Sequence, residues 1–595
     1  MPRVKVTDDT LSQAFEVRAA RFQDRAFLRE KSAGRWRDRS WREIADASAR
    51  LRTGLIGAGI RAGDRVAILA ENSPQWVIAD QAVLGMGGVI APLYTTSGGE
   101  ETAHVINDSG ARVVAVRGDE LLKKIIALEP QLPRLERIIA LHPDATDDAA
   151  RAIPIHRIET LSAAPPTPAR AGSRADLATL IYTSGTTGPS KGVMLTHGNL
   201  LANCEGSLDA LLLDEHDTIL SILPIAHSFE RSAGYYTVMI CGGTIAYAEG
   251  LGQIVANLLE IKPTVVLTVP RLLEVVHNRV MRTVADSGAA KRALFKAATS
   301  IGERAAWRRH RGMRVGPHLA IPMALFRRIV FARVRGTFGG RLRYLISGGA
   351  PLAIEIFKFL SAAEVPIYEG YGLTEAAPVV SVNLPERTRI GTVGRPLCNV
   401  EAVTADDGEL LLRGDNIMAG YFGRPDDSRD AVDSDGWLHT GDIARIDADG
   451  FISITDRKKE IIVLSGGKNI SPANLEARLE ADPLIAQACV IGDRRKHLAA
   501  LIVPDFDQIA GHLKPDGLAK GRPEDLVADP AMRTLFQKRI REFNRPLSDV
   551  EAITAFTLIA RPFSQENGEL TPTMKLRRRV VQMHYQEQIE SMYGG

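Results

Sequence analysis

Short apolar runs rich in valine and isoleucine, each bounded by glycine, proline or serine, recur along this chain. Their continuous hydrophobicity is typical of strands that are buried on both faces, and the longer segments between them are typical of helices. The sequence therefore predicts an α/β fold with mostly parallel sheets. The runs that carry this prediction are RVAILAEN (65–72), ARVVAVRG (111–118), LATLIYTS (177–184), PTVVLTVP (263–270) and RLRYLISGG (341–349).

Length, charge and cysteine usage narrow the class of protein. The 595 residues are enough for several domains, and a net charge of +3 gives no global field that recruits nucleic acid. The four cysteines form no CxxC pair, which argues against a zinc ribbon or a redox dithiol. Without an apolar signal region or a run of about 18 apolar residues, we expect a cytoplasmic protein. The abundance of alanine and arginine favours a bacterial source.

The segment TSGTTGPSKG (183–192) follows one of the predicted strands and combines glycines with hydroxyl residues. Glycines let the backbone turn tightly, and successive N–H groups can then form a concave site for an anion. Lys191 adds a positive charge at the end of the loop. Ser190 stands where a Walker A loop needs glycine. On composition alone the segment is either a phosphate loop or a flexible linker.

TSGTTGPSKG resembles the signature of the adenylate-forming superfamily, which contains acyl-CoA synthetases, luciferases and carrier-protein-loading adenylation domains. The resemblance extends from about Leu11 to Gln588. It implies a large N-terminal adenylate-forming domain (1–455), a hinge (456–459) and a small mobile α+β lid domain (460–595). The other segments that resemble family motifs are YGLTE (371–375), TGD (440–442), DRKKE (456–460) and GELTPTMKLRR (568–578).

The resemblance implies a site for ATP and Mg²⁺. Tyr371, which we expect in a loop after a strand, would stack on adenine, Asp442 would bind both ribose hydroxyls and Arg457 would contact the nucleotide. Glu375 and Thr187 would hold Mg²⁺, whose preferred ligands are oxygens. The residues implied around ATP or AMP are Thr183, Ser184, Gly185, Thr186, Thr187, Gly188, Lys191, Gly349, Ala350, Gly370, Tyr371, Gly372, Asp442 and Arg457.

The resemblance also implies catalytic residues. Lys575 would bind the carboxylate and α-phosphate oxygens, although by itself it reads as a surface charge. Thr374 would contact the α-phosphate beside Glu375, and His227 would stand next to the acyl carboxylate as a gate. A lone histidine in an apolar segment is otherwise usually packed in the core.

Two further segments complete the implied machinery. Lys459 corresponds to the hinge position about which the small domain rotates. In LSGGKNISPANLEARL (464–479), Ser471 and Pro472 predict the start of a helix. The residues implied to line the channel for coenzyme A are Ser465, Gly466, Gly467 and Lys468.

The surroundings of these motifs resemble long-chain fatty acyl-CoA synthetases, notably LPIAHSFERS (223–232) and the segment 246–280. The implied reaction joins a fatty acid to CoA with ATP, through an acyl-adenylate. Three alternatives stay open: a fatty acyl-AMP ligase that loads a carrier protein, a ligase for aryl or short-chain acids, and a nucleotide sensor without activity.

One segment has an unusual charge. Residues 291–343 contain fourteen lysines and arginines and a single acidic residue, Glu303. Such a segment forms either solvated helix faces or a basic amphipathic surface that touches an anionic membrane, here the inner face of the cell membrane.

Overall fold

The structure is a computed structural model, which describes residues 4–142, 153–163, 165–183, 189–385, 387–466, 468–512, 521–571 and 575–594. It confirms the predicted α/β class: a large N-terminal domain with mostly parallel sheets is followed by a small C-terminal domain. Within the described residues, no helix is both long enough and apolar enough to cross a bilayer.

The strands of the N-terminal domain are β1 (Ala26–Ser32), β2 (Arg35–Ser40), β3 (Arg65–Leu69), β4 (Val89–Leu93), β5 (Val113–Val116), β6 (Arg137–Ala140), β7 (Ile155–Arg157), β8 (Leu177–Thr183), β9 (Lys191–Thr196), β10 (Thr218–Ser221), β11 (Thr244–Tyr247), β12 (Val265–Thr268), β13 (Tyr344–Ser347), β14 (Ile367–Gly372), β15 (Val379–Val382), β16 (Arg395–Pro396), β17 (Val400–Thr404), β18 (Glu409–Gly414), β19 (Gly420–Tyr421), β20 (Leu438–Ile446) and β21 (Ile452–Arg457).

Its helices are α1 (Leu11–Phe22), α2 (Trp41–Gly57), α3 (Pro74–Gly85), α4 (Gly99–Ser109), α5 (Asp119–Leu128), α6 (Ile158–Leu161), α7 (His197–Leu211), α8 (Thr237–Cys241), α9 (Ile254–Ile261), α10 (Pro270–Ala285), α11 (Ala289–His310), α12 (Pro317–Ile329), α13 (Phe331–Thr337), α14 (Ile354–Ala362) and α15 (Pro425–Ala431).

Two large sheets organise this domain. The eight-stranded sheet has the order β19-β9-β8-β4-β3-β5-β6-β7, and the nine-stranded sheet has the order β16-β15-β14-β13-β12-β10-β11-β1-β2. The inner pairs of both sheets are parallel, and antiparallel pairs lie toward the edges. All five predicted apolar runs contain one of these strands. A four-stranded antiparallel sheet, β17-β18-β20-β21, follows.

The small C-terminal domain contains β22 (Ile462–Val463), β23 (Asn469–Ile470), β24 (Ile485–Ile491), β25 (Leu498–Pro504), β26 (Ile553–Leu558), α16 (Pro472–Glu480), α17 (Phe506–His512), α18 (Pro523–Val527), α19 (Pro530–Asn544), α20 (Arg578–His584) and α21 (Gln586–Ser591). Its sheet has the order β24-β25-β26, and every residue of the central strand β25 is buried. β21 ends at Arg457 and β22 begins at Ile462, so the segment 456–459 spans the end of one sheet and the approach to the next. That it acts as a hinge stays a prediction.

A buried ion pair connects the two large sheets. Arg231, in a π-helical segment (Glu230–Tyr236), donates a hydrogen bond of 2.6 Å to Asp80 on α3 and one of 2.8 Å to Thr179 on β8. Both side chains of the ion pair are fully buried. The hydroxyl groups of Tyr235 and Tyr236 also donate to Asp80. Because the π-helical segment follows β10, this network fixes LPIAHSFER against the eight-stranded sheet.

Replacing Asp80 with alanine should lower the free energy of unfolding of the N-terminal domain by about 3–5 kcal/mol, because it leaves the Arg231 charge buried without its partner. Urea unfolding can be followed by tryptophan fluorescence, since Trp76 lies 5.1 Å from the Arg231 guanidinium. The matched control is Asp38→Ala, which breaks the more exposed Arg29–Asp38 pair and should cost about 1 kcal/mol or less. Equal small losses in both variants would contradict the role given to the buried pair.

Candidate active site

Two segments with predicted nucleotide-binding glycines, around Gly349 and around Gly370, lie side by side at the carboxyl ends of neighbouring strands in the nine-stranded sheet. β13 and β14 are parallel neighbours, so the segments at their carboxyl ends come together. Gly349, which precedes Ala350, has a φ of +83°, in the left-handed region that favours glycine. At Gly348 an added Cβ would lie 3.7 Å from the carbonyl oxygen of Gly370. The two segments therefore form one continuous backbone surface.

The expectation that Tyr371 lies in a loop after a strand is wrong. Gly370, Tyr371 and Gly372 are the last residues of β14, because this strand continues into antiparallel pairing with β15. A Cβ on Gly372 would lie only 2.2 Å from the carbonyl oxygen of Pro378. Glycine is required there by the close approach of the neighbouring backbone.

The structure brings together the three residues that the resemblance assigns to adenine, ribose and nucleotide. The Tyr371 hydroxyl donates to one carboxylate oxygen of Asp442, and Arg457 Nε donates to the other at 2.9 Å. Asp442 is buried, and it lies directly opposite Arg457 across the β20–β21 pair. Burial, reinforced by the Asp442 charge, raises the pKa of Tyr371, which keeps its hydroxyl a donor.

Thr374 and Glu375 lie in a short 3₁₀ turn (Thr374–Ala376) directly after β14. The Thr374 and Ser228 hydroxyl groups are 3.0 Å apart, which links this turn to LPIAHSFER. The Tyr421 hydroxyl donates to Glu375 Oε1 at 2.9 Å. A carboxylate has about four acceptor positions, so Glu375 keeps capacity for a further donor or a cation.

His227 lies in the turn between β10 and the π-helical segment. The backbone N–H of Phe229 donates to its Nδ1 at 3.2 Å, and its ring centre is 6.4 Å from that of Tyr94. Burial, with a contribution from the positive charge of Lys575, lowers the pKa of His227 to about 4. The imidazole is therefore neutral at pH 7, and its Nε2 carries the proton.

Lys575 comes from the C-terminal domain. Its backbone N–H donates to Thr571 Oγ1 at 3.0 Å, and the Thr571 N–H donates to the Lys575 carbonyl at 2.8 Å. The surrounding protein, and next the Arg457 charge, lower the pKa of Lys575, whereas Asp442, Glu460 and Glu375 oppose this shift. The charges of Asp442 and Glu375 in the N-terminal domain therefore act on the Lys575 ammonium group of the C-terminal domain.

The tip of the predicted phosphate loop lies outside the described residues, which include neither Ser184, Gly185, Thr186, Thr187 nor Gly188. Thr183 and Lys191, which flank it, pair across the β8–β9 hairpin. Lys191 Nζ is 2.7 Å from Asp427 Oδ1 and 5.3 Å from the centre of the Tyr421 ring. The flanking charge therefore already has an acidic partner in this structure.

The segment predicted to line the CoA channel forms the turn between β22 and β23. The Leu464 N–H donates to the Lys468 carbonyl at 3.0 Å, and the Ser465 N–H donates to the Arg495 carbonyl at 2.8 Å. Apart from its chain neighbours, none of the described residues places an atom within 4 Å of where a Cβ on Gly466 would stand, so they leave this side of the turn open. Gly467 lies outside the described residues. A role of this turn in CoA binding stays a prediction.

The predicted start of the next helix is confirmed only in part. α16 begins at Pro472, and Ser471 takes the position before it, as expected. The Ser471 side chain, however, accepts no capping hydrogen bond from the first turn. Its ψ of 105° differs from the values near 160° at Thr10, Ser40, Ser73 and Thr196, the N-cap residues whose hydroxyl groups do cap their helices.

Two family models of known proteins match this chain. Residues 15–422 match the model of the AMP-binding enzyme, and residues 459–595 match that of the AMP-binding enzyme C-terminal domain. The chain belongs to the AMP-binding enzyme family. Relatives of this AMP-binding enzyme include long-chain-fatty-acid–CoA ligase FadD15 of Mycobacterium bovis, 36% identical over 94% of this chain and 93% of the relative. Long-chain-fatty-acid–CoA ligase ACSBG2 of Xenopus laevis is 29% identical over 98% of this chain and 84% of the relative. These relatives confirm the predicted enzyme class.

Solved structures share the fold of this AMP-binding enzyme. The adenylation domain of a carboxylate reductase from Mycobacterium chelonae has a TM-score of 0.79 at 23% identity, covering 99% of this chain and 92% of that one. The anthranilate CoA ligase AuaEII, in complex with anthranoyl-AMP, has a TM-score of 0.75 at 19% identity, covering 98% of both chains. At these identities the likeness concerns the fold alone.

Several residues of the site lie outside the predicted set. Tyr421 contacts Glu375, and Asp427 contacts Lys191, as described above. Lys458, next to the predicted hinge residue, donates to Asp407 at 2.6 Å and to Glu409 at 3.0 Å. The pKa of Asp427 is lowered first by its hydrogen bond from Lys191, and the charge of Lys459 adds to this. A tyrosine or acid in an ordinary strand or helix gives no local signal of these contacts.

The two domains also meet near two acidic side chains, Glu480 of the C-terminal domain and Glu274 of the N-terminal domain. α16 ends at Glu480, and Ala481 packs against the core cluster that contains Leu273 of α10. Burial raises the pKa of Glu480 to about 8. Its hydrogen bond from the Ala488 N–H opposes the shift, Glu274 and Glu476 increase it, and Arg271 opposes it. A proton on Glu480 therefore stabilises this arrangement of the domains.

Raising the pH toward 8 should loosen this domain interface, because the enclosed Glu480 keeps a proton that a freely solvated carboxyl loses near pH 4.5. The stabilisation of the interface by this proton is complete below about pH 4.5 and declines as the pH rises toward 8. Hydrogen exchange of α10 and α16 at several pH values, corrected for intrinsic rates, measures the change. Glu480→Gln should remove the pH dependence, whereas the exposed control Glu524→Gln should keep it. An unchanged profile in Glu480→Gln would contradict this account.

Proposed function

We propose that this AMP-binding enzyme is a long-chain fatty acid–CoA ligase, which converts ATP, a fatty acid and CoA into acyl-CoA, AMP and pyrophosphate. The contact of Tyr371 and Arg457 with the two carboxylate oxygens of Asp442 supports this proposal most strongly, because it gathers the residues assigned to the nucleotide in one place. The charge of Lys575 also lowers the pKa of His227, and the charges of Glu375 and Asp442 act on Lys575. The relatives that match nearly the whole chain carry the same activity in their names.

In the first step a carboxylate oxygen of the acid attacks the α-phosphorus of ATP. A new P–O bond forms, the bond to the bridging oxygen breaks and pyrophosphate leaves. Negative charge grows on the oxygens around phosphorus, and a positioned ammonium group stabilises it. Lys575 would supply this charge. The neutral imidazole of His227 would stand beside the acid without adding a second positive charge.

The nucleotide would bind at the carboxyl edge of the nine-stranded sheet. Tyr371 would stack on adenine, and Asp442 would accept hydrogen bonds from the ribose hydroxyl groups with the acceptor positions that Tyr371 and Arg457 leave free. The backbone around Gly349 and Gly370 would border the base. The loop between Thr183 and Lys191 would enclose the phosphates, and Lys191 would then exchange Asp427 for a phosphate oxygen.

The donor set suits Mg²⁺. Glu375 offers a carboxylate with free acceptor positions, and Thr187 offers a hydroxyl; both are the oxygen ligands that this hard cation prefers. When bound, Mg²⁺ would neutralise charge on the phosphates. The described residues contain no group of three or more histidine, cysteine, aspartate or glutamate side chains suited to hold a metal.

In the second step the CoA sulfur attacks the acyl carbon, the thiol proton passes to solvent, and AMP leaves. For this step the C-terminal domain (460–595) would rotate about the segment 456–459, with Lys459 at the hinge. Such rotations need only a few residues that change their backbone angles. Lys575 would leave the site, and Ser465, Gly466, Gly467 and Lys468 would line the path of CoA.

One product assay by mass spectrometry tests both the acyl acceptor and the class of acid. The protein is incubated with palmitate, ATP and Mg²⁺ in the presence and absence of CoA. We expect palmitoyl-CoA and AMP when CoA is present. Palmitoyl-AMP that accumulates despite CoA would instead favour a ligase that loads a carrier protein. Turnover of benzoate or butyrate but not of palmitate would favour an aryl or short-chain ligase. No adenylate with any acid would favour the inactive sensor.

Lys575→Ala should slow adenylate formation by roughly 10²–10³-fold, the usual effect of removing one stabilising donor. It should leave the conversion of added palmitoyl-AMP and CoA into palmitoyl-CoA nearly unchanged, because Lys575 serves only the first step. Lys538→Ala, which removes an exposed lysine of the same domain, is the control for both half-reactions. Equal losses in both half-reactions of Lys575→Ala would contradict this division of roles.

The partners of the enzyme would be the fatty acid, ATP and CoA. We also propose a cytoplasmic location, with a peripheral contact between the segment 291–343 and an anionic membrane. The charge of this segment supports the contact.

A further inference from the structure

The segment that carries Lys575 is one arm of a short antiparallel ladder. Leu570 and Leu576 form its bridge, and both side chains pack in the same core cluster of the C-terminal domain. We refer to the two arms, 569–571 and 575–577, as the lysine ladder. Because the arms share backbone hydrogen bonds, a contact that fixes the first arm also fixes the backbone of Lys575 in the second.

Glu569 lies at the start of the first arm, and its side chain is fully buried. Its Oε1 accepts a hydrogen bond of 2.8 Å from Arg561 and lies 3.0 Å from His584 Nδ1. Its Oε2 accepts a hydrogen bond of 3.1 Å from the Ser564 N–H. Its backbone carbonyl accepts one of 2.8 Å from the Arg577 N–H. One residue therefore ties the second arm to three separate parts of the domain.

This network contributes more to geometry than to net stability. Burying a carboxyl group costs free energy, which the attraction of charged partners offsets only in part. The Arg561 and His584 side chains are themselves 54% and 38% exposed, so solvent weakens their attraction to the carboxyl group. What the network does specify is the place of Glu569, and with it the place of the lysine ladder.

The second arm has an anchor of its own. Arg578, which directly follows this arm, donates to the two carboxylate oxygens of Glu476 on α16 at 2.6 and 2.9 Å, and to the Val490 carbonyl at 2.8 Å. Removing the Glu569 contacts therefore leaves the second arm attached to the domain. Such a change should loosen the ladder at Lys575 without unfolding the domain.

We propose that Glu569 is a positioning residue for adenylate formation, which holds the lysine ladder so that Lys575 reaches the carboxylate and α-phosphate oxygens. The C-terminal domain encloses its side chain, so Glu569 acts through Lys575 and not on a reacting atom. The inference rests on the role of Lys575 in the proposed function. A misplacement of about 1 Å can cost roughly 10²-fold in rate, so a loosened ladder should be measurable.

The rate of adenylate formation, measured as pyrophosphate release with palmitate, ATP and Mg²⁺ but without CoA, tests the proposal. Glu569→Gln keeps the shape of the side chain but offers one acceptor oxygen instead of two, so it loses contacts on one side. We expect it to slow this step by roughly 10–100-fold. The conversion of added palmitoyl-AMP and CoA should stay within about twofold, because Lys575 does not serve that step.

A double-variant cycle separates positioning from a general structural role. If Glu569 acts only through Lys575, adding Glu569→Gln to Lys575→Ala should slow adenylate formation by less than about twofold further. Losses that multiply would show that Glu569 acts by another route and would overturn the proposal.

Arg561 offers a second test of the same network, because its half-exposed side chain can be changed without disturbing the core. Arg561→Ala should show the same selective loss of adenylate formation to a smaller extent. Arg561→Lys, which keeps a charged donor, should restore most of the rate. The matched control is Asp482→Asn, which changes the arginine-paired carboxyl group of the Arg539–Asp482 pair in the same domain and should leave both half-reactions unchanged.

Two further results would overturn the proposal. Equal losses of Glu569→Gln in both half-reactions would assign the network to folding alone, and an unchanged rate of adenylate formation would leave the ladder independent of Glu569. Full adenylate formation by Lys575→Ala would overturn the proposed role of Lys575 together with this inference. A loss in Lys575→Ala without one in Glu569→Gln would overturn the inference alone.

Discussion

The buried ion pair between Arg231 and Asp80 holds the rest of the site in place. Two buried charges cost several kcal/mol to desolvate, and only close mutual contact with further hydrogen bonds offsets this. Thr179 and two tyrosines provide those bonds. Because the pair ties the segment after β10 to α3 and β8, it sets the position of His227 in LPIAHSFER relative to β8 and β9, the strands that flank the predicted phosphate loop.

The site itself follows from the direction of parallel strands. Their carboxyl ends lie at one edge, where the backbone groups after β13 and the end of β14 meet. The charges of Asp442 and Glu375 act on Lys575 of the small domain. Its cation and these anions are held by different domains, so their attraction depends on the domain arrangement. Burial also raises the pKa of Glu480 near this interface, so a change in domain position alters the solvation of that carboxyl group.

The strands, the basic helices and most motif residues could be predicted from sequence, because hydrophobic runs, glycines and charges act through local chain geometry. The failures have physical causes. β14 runs on through Gly372 because β15 pairs with it, which no local pattern reveals. Ser471 precedes α16 but its side chain does not cap the helix. Tyr421 and Glu409 reach the site from ordinary strands. Within the basic segment 291–343, Arg309 is bound by Glu364, which lies outside that segment.

By itself the sequence determined the fold class, the order of the motifs and the chemistry of each side chain, since apolar periodicity and residue type are local properties. The tertiary structure decided which of these side chains meet. It pairs Tyr371 and Arg457 with the two oxygens of Asp442, and it brings Lys575 across the domain interface. These contacts join residues far apart in the chain, so only the packing of the whole molecule determines them.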